Sequence, residues 1–122
     1  MTHKEVEEYI LSMPNARLDY PFGEGVAVYK VVDPSTGSGQ GKMFALIPEG
    51  KDPVSLSLKC DPGLAKLLRE KYESIMEGYH LNKKHWNTML LTGQLGDERI
   101  KDLIRHSYNL VINNDVQAPD FS

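Results

Sequence analysis

The hydrophobic pattern begins with a period near 3.6. Val6, Tyr9, Ile10 and Met13 recur at three- and four-residue intervals, and Thr2 with Glu5 can form a capping box. Residues 2–13 therefore read as a helix, ended by Pro14-Asn15. The period then falls to two. Residues 17–20 read as a short strand, Pro21-Phe22-Gly23-Glu24-Gly25 as a turn, and Val26 to Val32 as a strand. In that strand Val26, Val28 and Lys30 alternate against Ala27, Tyr29 and Val31. A polar, glycine-rich loop (33–41) joins it to a partner strand, Lys42 to Ile47. In Val54 to Lys59 the alternation is clean: Val54, Leu56 and Leu58 point one way, Ser55, Ser57 and Lys59 the other. This predicts an antiparallel sheet with one packed face and one wet face.

Asp61-Pro62 has the form of a helix start, with Asp as N-cap and Pro in the first turn. Leu64, Leu67 and Leu68 give that helix an apolar stripe to about Tyr72. Trp86 to Leu91 reads as a last strand, Thr92-Gly93 as a turn, and Asp97 to Asn113 as a final helix with Ile100, Leu103, Ile104, Ser107 and Val111 on one face. The order α-β-meander-α-β-α predicts an α+β fold, an antiparallel β-sheet with helices packed on one face. A single domain is expected over 1–115, with a frayed tail at 116–122.

Composition narrows the function classes. At 122 residues, 40% hydrophobic and 25% charged, the chain is an ordinary globular length and mixture. It contains no run of 18 apolar residues, and its charged N-terminus lacks the apolar core of a signal peptide. A cytoplasmic protein without a membrane partner is expected. The single cysteine, Cys60, has no internal disulfide partner. The net charge of −3 opposes a broad basic field for coating nucleic acid. Residues 1–58 hold five Lys/Arg against eight Asp/Glu, and residues 59–122 hold nine of each. No acid lies between Glu77 and Asp97, so Lys83 and Lys84 are expected to be locally unopposed.

Several motifs carry candidate chemistry. Gly37, Gly39 and Gly41 before Lys42 suggest a phosphate loop, but Thr36 stands where its first glycine is required and Met43 where Ser or Thr is required. The loop also enters a strand, so a flexible hairpin tip is the simpler reading. Cys60, just before a helix N-terminus, is a candidate nucleophile if His80 or His85 supplies a base, and otherwise a half-buried structural residue. His80 and His85, five apart, suit two ligands of one metal in a loop but not on a helix, and no second cysteine supports a structural zinc site. No cofactor is expected. Glu7-Glu8 and Asp97-Glu98 fit wet or capping positions better than an acid–base pair.

The stretch from Gly78 to Thr88, GYHLNKKHWNT, is the most unusual in the chain. Lys83 and Lys84 suit phosphates, Asn82 and Asn87 suit base edges or backbone, and Tyr79, His80, His85 and Trp86 have faces that suit stacking. Against this, Trp86 at the head of a strand suits a core, and Asn or His in a turn suits local backbone groups. Composition leaves the two readings even.

Taken in order, three segments resemble the signatures of the MmcQ/YjbR family: Tyr20-Pro21-Phe22-Gly23-Glu24-Gly25-Val26-Ala27-Val28-Tyr29-Lys30, Ser57-Leu58-Lys59-Cys60-Asp61-Pro62, and Gly78 to Thr88. His106-Ser107-Tyr108 fits as well. The resemblance implies a CyaY-like fold and a double-wing DNA-binding role. The long 34–41 loop departs from the tighter hairpin of the family and adds only Lys42 as a cation.

The resulting expectation is a weak, salt-sensitive, non-catalytic DNA-binding protein. Lys83 and Lys84 would meet phosphates, and Lys59 and Lys30 would extend the patch over the wet sheet face. Asn82, Asn87, His85 and His80 would make polar contacts, and Trp86 would stack or brace the loop. About four phosphate contacts correspond to a log–log salt slope near −3.6. The alternatives are a protein-interaction or small-ligand module using the same segment, and an enzyme or metal protein built on Cys60, His80 and His85.

Overall fold

The computed structural model describes residues 1–32, 41–78, 81–112 and 116–121. Its elements are α1 (His3–Leu11), β1 (Ala16–Asp19), β2 (Val26–Val31), β3 (Lys42–Pro48), β4 (Ser55–Lys59), α2 (Pro62–Lys71), β5 (Ile75–Glu77), β6 (Trp86–Leu90) and α3 (Asp97–Ile112). The six strands form one sheet in the order β1-β2-β3-β4-β6-β5. Every neighbouring pair is antiparallel. This is an α+β fold in which the first four strands meander and the last two reach the sheet after α2.

Local chemistry explains most boundaries. The Thr2 hydroxyl accepts the Glu5 N–H while the Glu5 carboxylate accepts the Thr2 N–H, which closes the capping box on α1. The helix stops at Leu11, earlier than the apolar spacing suggested, and the chain turns through Asn15 at φ 63° into β1. The Asp61 carboxylate accepts the Leu64 N–H with Pro62 as the first helical residue, so α2 begins where the Asp-Pro pair indicated.

All three helices contribute to one core. Val6 and Ile10 of α1, Leu64, Ala65 and Leu68 of α2, and Ile100, Leu103, Ile104 and Val111 of α3 pack with Ala27, Tyr29, Ile47, Leu56, Leu58 and Met89. The opposite sheet face was expected to be wet, and it is partly dry. Cross-strand partners share a face, so the pairs Val28–Leu46, Leu46–Ser57 and Ser57–Thr88 run as a row across it. Val28 and Leu46 cluster there with Trp86, and Ser57 Oγ lies 2.8 Å from Thr88 Oγ1. Leu56 and Leu58 face the helices, as the alternation in β4 indicated.

The glycine-rich stretch 33–40 lies outside the described residues. Two further differences stand out. The edge strand β5 was not anticipated. The tail at 116–121 is docked rather than frayed: Phe121 is buried, its carbonyl accepts from Lys71 Nζ at 2.5 Å, and the Arg99 guanidinium lies 4.7 Å from its ring centroid. No helix among the described residues is long and apolar enough to cross a membrane.

Candidate functional site

The site forms where β4 ends. Lys59, Cys60 and Asp61 leave the sheet and enter α2, and their three successive N–H groups find three different acceptors. Lys59 N–H donates to Ser107 Oγ at 2.9 Å, Cys60 N–H to the His85 carbonyl at 2.7 Å, and Asp61 N–H to His106 Nε2 at 3.1 Å. The corner is thereby tied to α3 twice and to the 82–85 turn once. Ser107 also donates to the Phe44 carbonyl at 2.6 Å, so one hydroxyl with 0% exposure bridges β3 and β4. The β3–β4 ladder itself pairs only Ala45 with Leu58 and Leu46 with Ser57.

An open cleft of ≈ 480 Å³ lies against this corner, lined by Lys59, Cys60, Asp61, Pro62, Asn82, His85, Trp86 and Leu110. Residues far apart in sequence thus share one concavity. The turn that forms its other wall is built by Asn82, whose side-chain oxygen accepts the Lys84 N–H at 2.9 Å and whose carbonyl accepts the His85 N–H at 3.3 Å. Arg69 on α2 supports the turn by donating to the Lys83 carbonyl at 2.9 Å. Gly78 lets it close: a Cβ there would lie 2.8 Å from Trp86 Cβ, and the Gly78 N–H donates to the Trp86 carbonyl.

The predicted contact residues divide into two groups. Asn82, Lys83 and Lys84 are exposed, while Lys59 and His85 are half-buried and line the cleft. Asn87 does not line the cleft, and Trp86, which does, is largely buried. Asn87 is 3% exposed, faces α2 and donates Nδ2 to the Ala65 carbonyl; Trp86 is 7% exposed and packs with Val28 and Leu46. Trp86 therefore braces rather than stacks. Lys83 is also not unopposed: its Nζ lies 3.6 Å from Glu77, which approaches Arg69 at 4.0 Å. Lys30 is held at 2.8 Å by Asp19 and is not part of the cleft. His80 and Tyr79 lie outside the described residues.

Cys60 is buried, and burial, with the Asp61 charge adding to it, pushes its thiol up to about 12. That is opposite to what an activated nucleophile needs. Among the described residues, no three His, Cys, Asp or Glu side chains are grouped to hold a metal ion. His106 and Ser107, adjacent on α3, hold the corner separately and do not form a nucleophile pair with each other.

Across the comparisons, the YjbR family model matches residues 11–110. This chain belongs to the YjbR family. The Escherichia coli K12 protein YjbR, described as uncharacterized, is 33% identical over 113 residues, covering 93% of this chain and 89% of its own. YbdF of E. coli O157:H7, also described as uncharacterized, is 33% identical over 111 residues, covering 91% and 84%. The crystal structure of Deinococcus radiodurans protein DR2400, which carries the DUF419 domain, superposes with a TM-score of 0.84 at 36% identity, covering 95% of this chain and 82% of that one. A Pseudomonas syringae crystal structure gives 0.73 at 30% identity, covering 91% and 99%. The YjbR match covers all four segments that meet around the cleft: 57–62, 78, 81–88 and 106–110.

Proposed function

We propose that this YjbR-family chain is a non-catalytic DNA-binding protein that contacts the phosphate backbone weakly through the rim of the cleft. The observation that supports this most is the convergence of Lys59 and His85, from opposite walls, on one cleft beside exposed Asn82, Lys83 and Lys84. Lys84 makes no ion pair among the described residues and serves as the principal phosphate contact. Lys83 must exchange Glu77 for a phosphate, and Lys59 reaches the same rim. About three phosphate contacts correspond to a log–log salt slope near −2.7, shallower than the slope expected from four. A net charge of −3 keeps long-range attraction small, so binding is a low-salt phenomenon.

Glu77 provides the sharpest test. It neutralises Lys83 and lies beside Arg69 on the same surface, so Glu77→Gln should strengthen DNA binding several-fold at low salt, while Lys84→Ala should flatten the salt slope by about 0.9. Anisotropy of a labelled short duplex across a salt series reads both. An unchanged affinity for Glu77→Gln together with an unchanged slope for Lys84→Ala would remove this rim from the interface.

One observation favours a second reading. The cleft volume of ≈ 480 Å³ lies within the range of roughly 300–1,000 Å³ typical of small-ligand sites, and Cys60, Pro62, Trp86 and Leu110 give it an apolar wall. In that case a small polar ligand would change Trp86 fluorescence, and DNA would not.

A further inference from the structure

We propose that His106 is a pH-operated clasp on the β4–α2 corner, closed when the imidazole is neutral and released when it is protonated. The clasp belongs to the framework of the cleft and operates whichever ligand the cleft accepts. The geometry sets the polarity of the contact. Asp61 N–H is a donor, so Nε2 of His106 must offer a lone pair to receive it at 3.1 Å. The neutral ring therefore carries its proton on Nδ1, a buried atom with no hydrogen-bond partner among the described residues. Protonation would turn Nε2 from acceptor into donor and aim it at another donor. The imidazolium would then hold two buried N–H groups without acceptors in its present position.

The surroundings oppose that charge. His106 is 3% exposed, and burial is the main cause that moves its pKa down from the ordinary 6.5, with the Asp61 carboxylate pulling the other way. On the corner, Asp61 bonds the ring directly, Lys59 and Cys60 are the titratable residues that precede it in the chain, and all three line the cleft with His85. From α2, Arg69 acts on Cys60. On α3 itself, Asp102 and Arg105 pair with each other. Asp61 is the group whose charge favours the imidazolium, the Asp102 carboxylate being paired with Arg105. Its carboxylate is also the N-cap of α2, holding the Leu64 N–H. A protonated His106 that turns to this carboxylate takes the cap from α2, so release of the corner and loosening of the first helical turn occur together.

The second tie to α3 behaves differently. Ser107 accepts Lys59 N–H and donates to Phe44 through a hydroxyl that does not titrate in this range. The clasp therefore opens at Asp61 while Lys59 stays anchored, which widens the cleft from its α2 side only.

The test is an amide- and imidazole-resolved NMR titration of the whole chain from neutral pH to about pH 4.5, repeated on His106→Gln. In the wild type, the His106 ring should titrate below 6.5, and the Asp61 and Leu64 amides should move with its midpoint while the Lys59 amide moves least. Glutamine offers a carbonyl oxygen at every pH, so in His106→Gln the Asp61 and Leu64 transition should disappear. If the Asp61 amide titrates in His106→Gln as it does in the wild type, its own carboxyl is responsible and the clasp is wrong. If the variant does not fold, the imidazole nitrogen shifts of the wild type decide: an unprotonated Nε2 at neutral pH supports the clasp, and a protonated Nε2 overturns it.

Discussion

Ser107 shows how much a single buried polar residue can contribute. Its hydroxyl takes the Lys59 N–H and gives its own proton to the Phe44 carbonyl, so it continues a ladder that β3 and β4 have abandoned. Ser107→Ala leaves both backbone groups buried and unpaired, at a cost of about 1–3 kcal/mol each. Chemical denaturation should show a loss of at least about 1 kcal/mol, and an unchanged midpoint would mean that the strands close without it. The sequence placed Ser107 on the inward face of its helix, since it falls in register with Ile100, Leu103, Ile104 and Val111. What it bonds was not legible, because its partners lie 48 and 63 residues away. Asn87 was placed on the wrong side of its strand, and Trp86 was left open between stacking and bracing, for a related reason. A polar segment leading into a strand does not reveal that both faces of that strand are covered, one by α2 and one by the Val28–Leu46 cluster.

Elements differed in how clearly the sequence announced them. Strand β4 was plain, since each alternate residue is apolar and faces the helices. Helix α2 was plain because Asp61-Pro62 combines a side-chain cap with a residue that needs no N–H donor. Strand β5 was not visible: it has three residues, only Ile75 is buried, and its identity depends on pairing with β6. That omission also hid the Glu77–Lys83 ion pair, because Glu77 belongs to β5 and pairs in register with Asn87. The β5–β6 turn depends on Gly78. Gly78→Ala places a methyl 2.8 Å from Trp86 Cβ and 3.2 Å from the Trp86 carbonyl, so the start of β6 must move. The expected result is a destabilised chain with a red-shifted Trp86 emission, and native emission at wild-type stability would show that the turn has room to spare.

Across the whole molecule, titration of several groups limits stability to a window. Burial holds the His106 pKa below 6.5, so its neutral form stabilises the fold fully above that value, and the contribution is lost as pH falls toward the lowered one. Asp19 is lowered first by its Lys30 hydrogen bond and Glu5 first by the Thr2 backbone N–H, so their contributions are present above 3.8 and 4.5 and are lost below. At the other end, burial raises Cys60, and burial followed by the 2.5 Å hydrogen bond to Glu7 raises Tyr29. Their protonated forms stabilise the fold until the unfolded chain ionises from 9.0 upward. Denaturation midpoints should therefore plateau between 6.5 and 9.0, with a first acid decline absent from His106→Gln. A wild-type profile flat down to pH 4.5 would contradict this.

The antiparallel sheet and its helical face were legible in the pattern of the chain, because period and capping are local properties. The cleft was not, because it is made by a corner, a turn and a helix that meet only in the folded molecule. The most direct test of the functional account is an amide-resolved titration with a short DNA duplex at low salt, followed by added salt. The account predicts salt-reversible shifts clustered on residues 81–85 and Lys59, with Lys30 silent. Shifts that are absent, or that cluster on the β1–β2 end of the sheet and ignore the cleft rim, would contradict it.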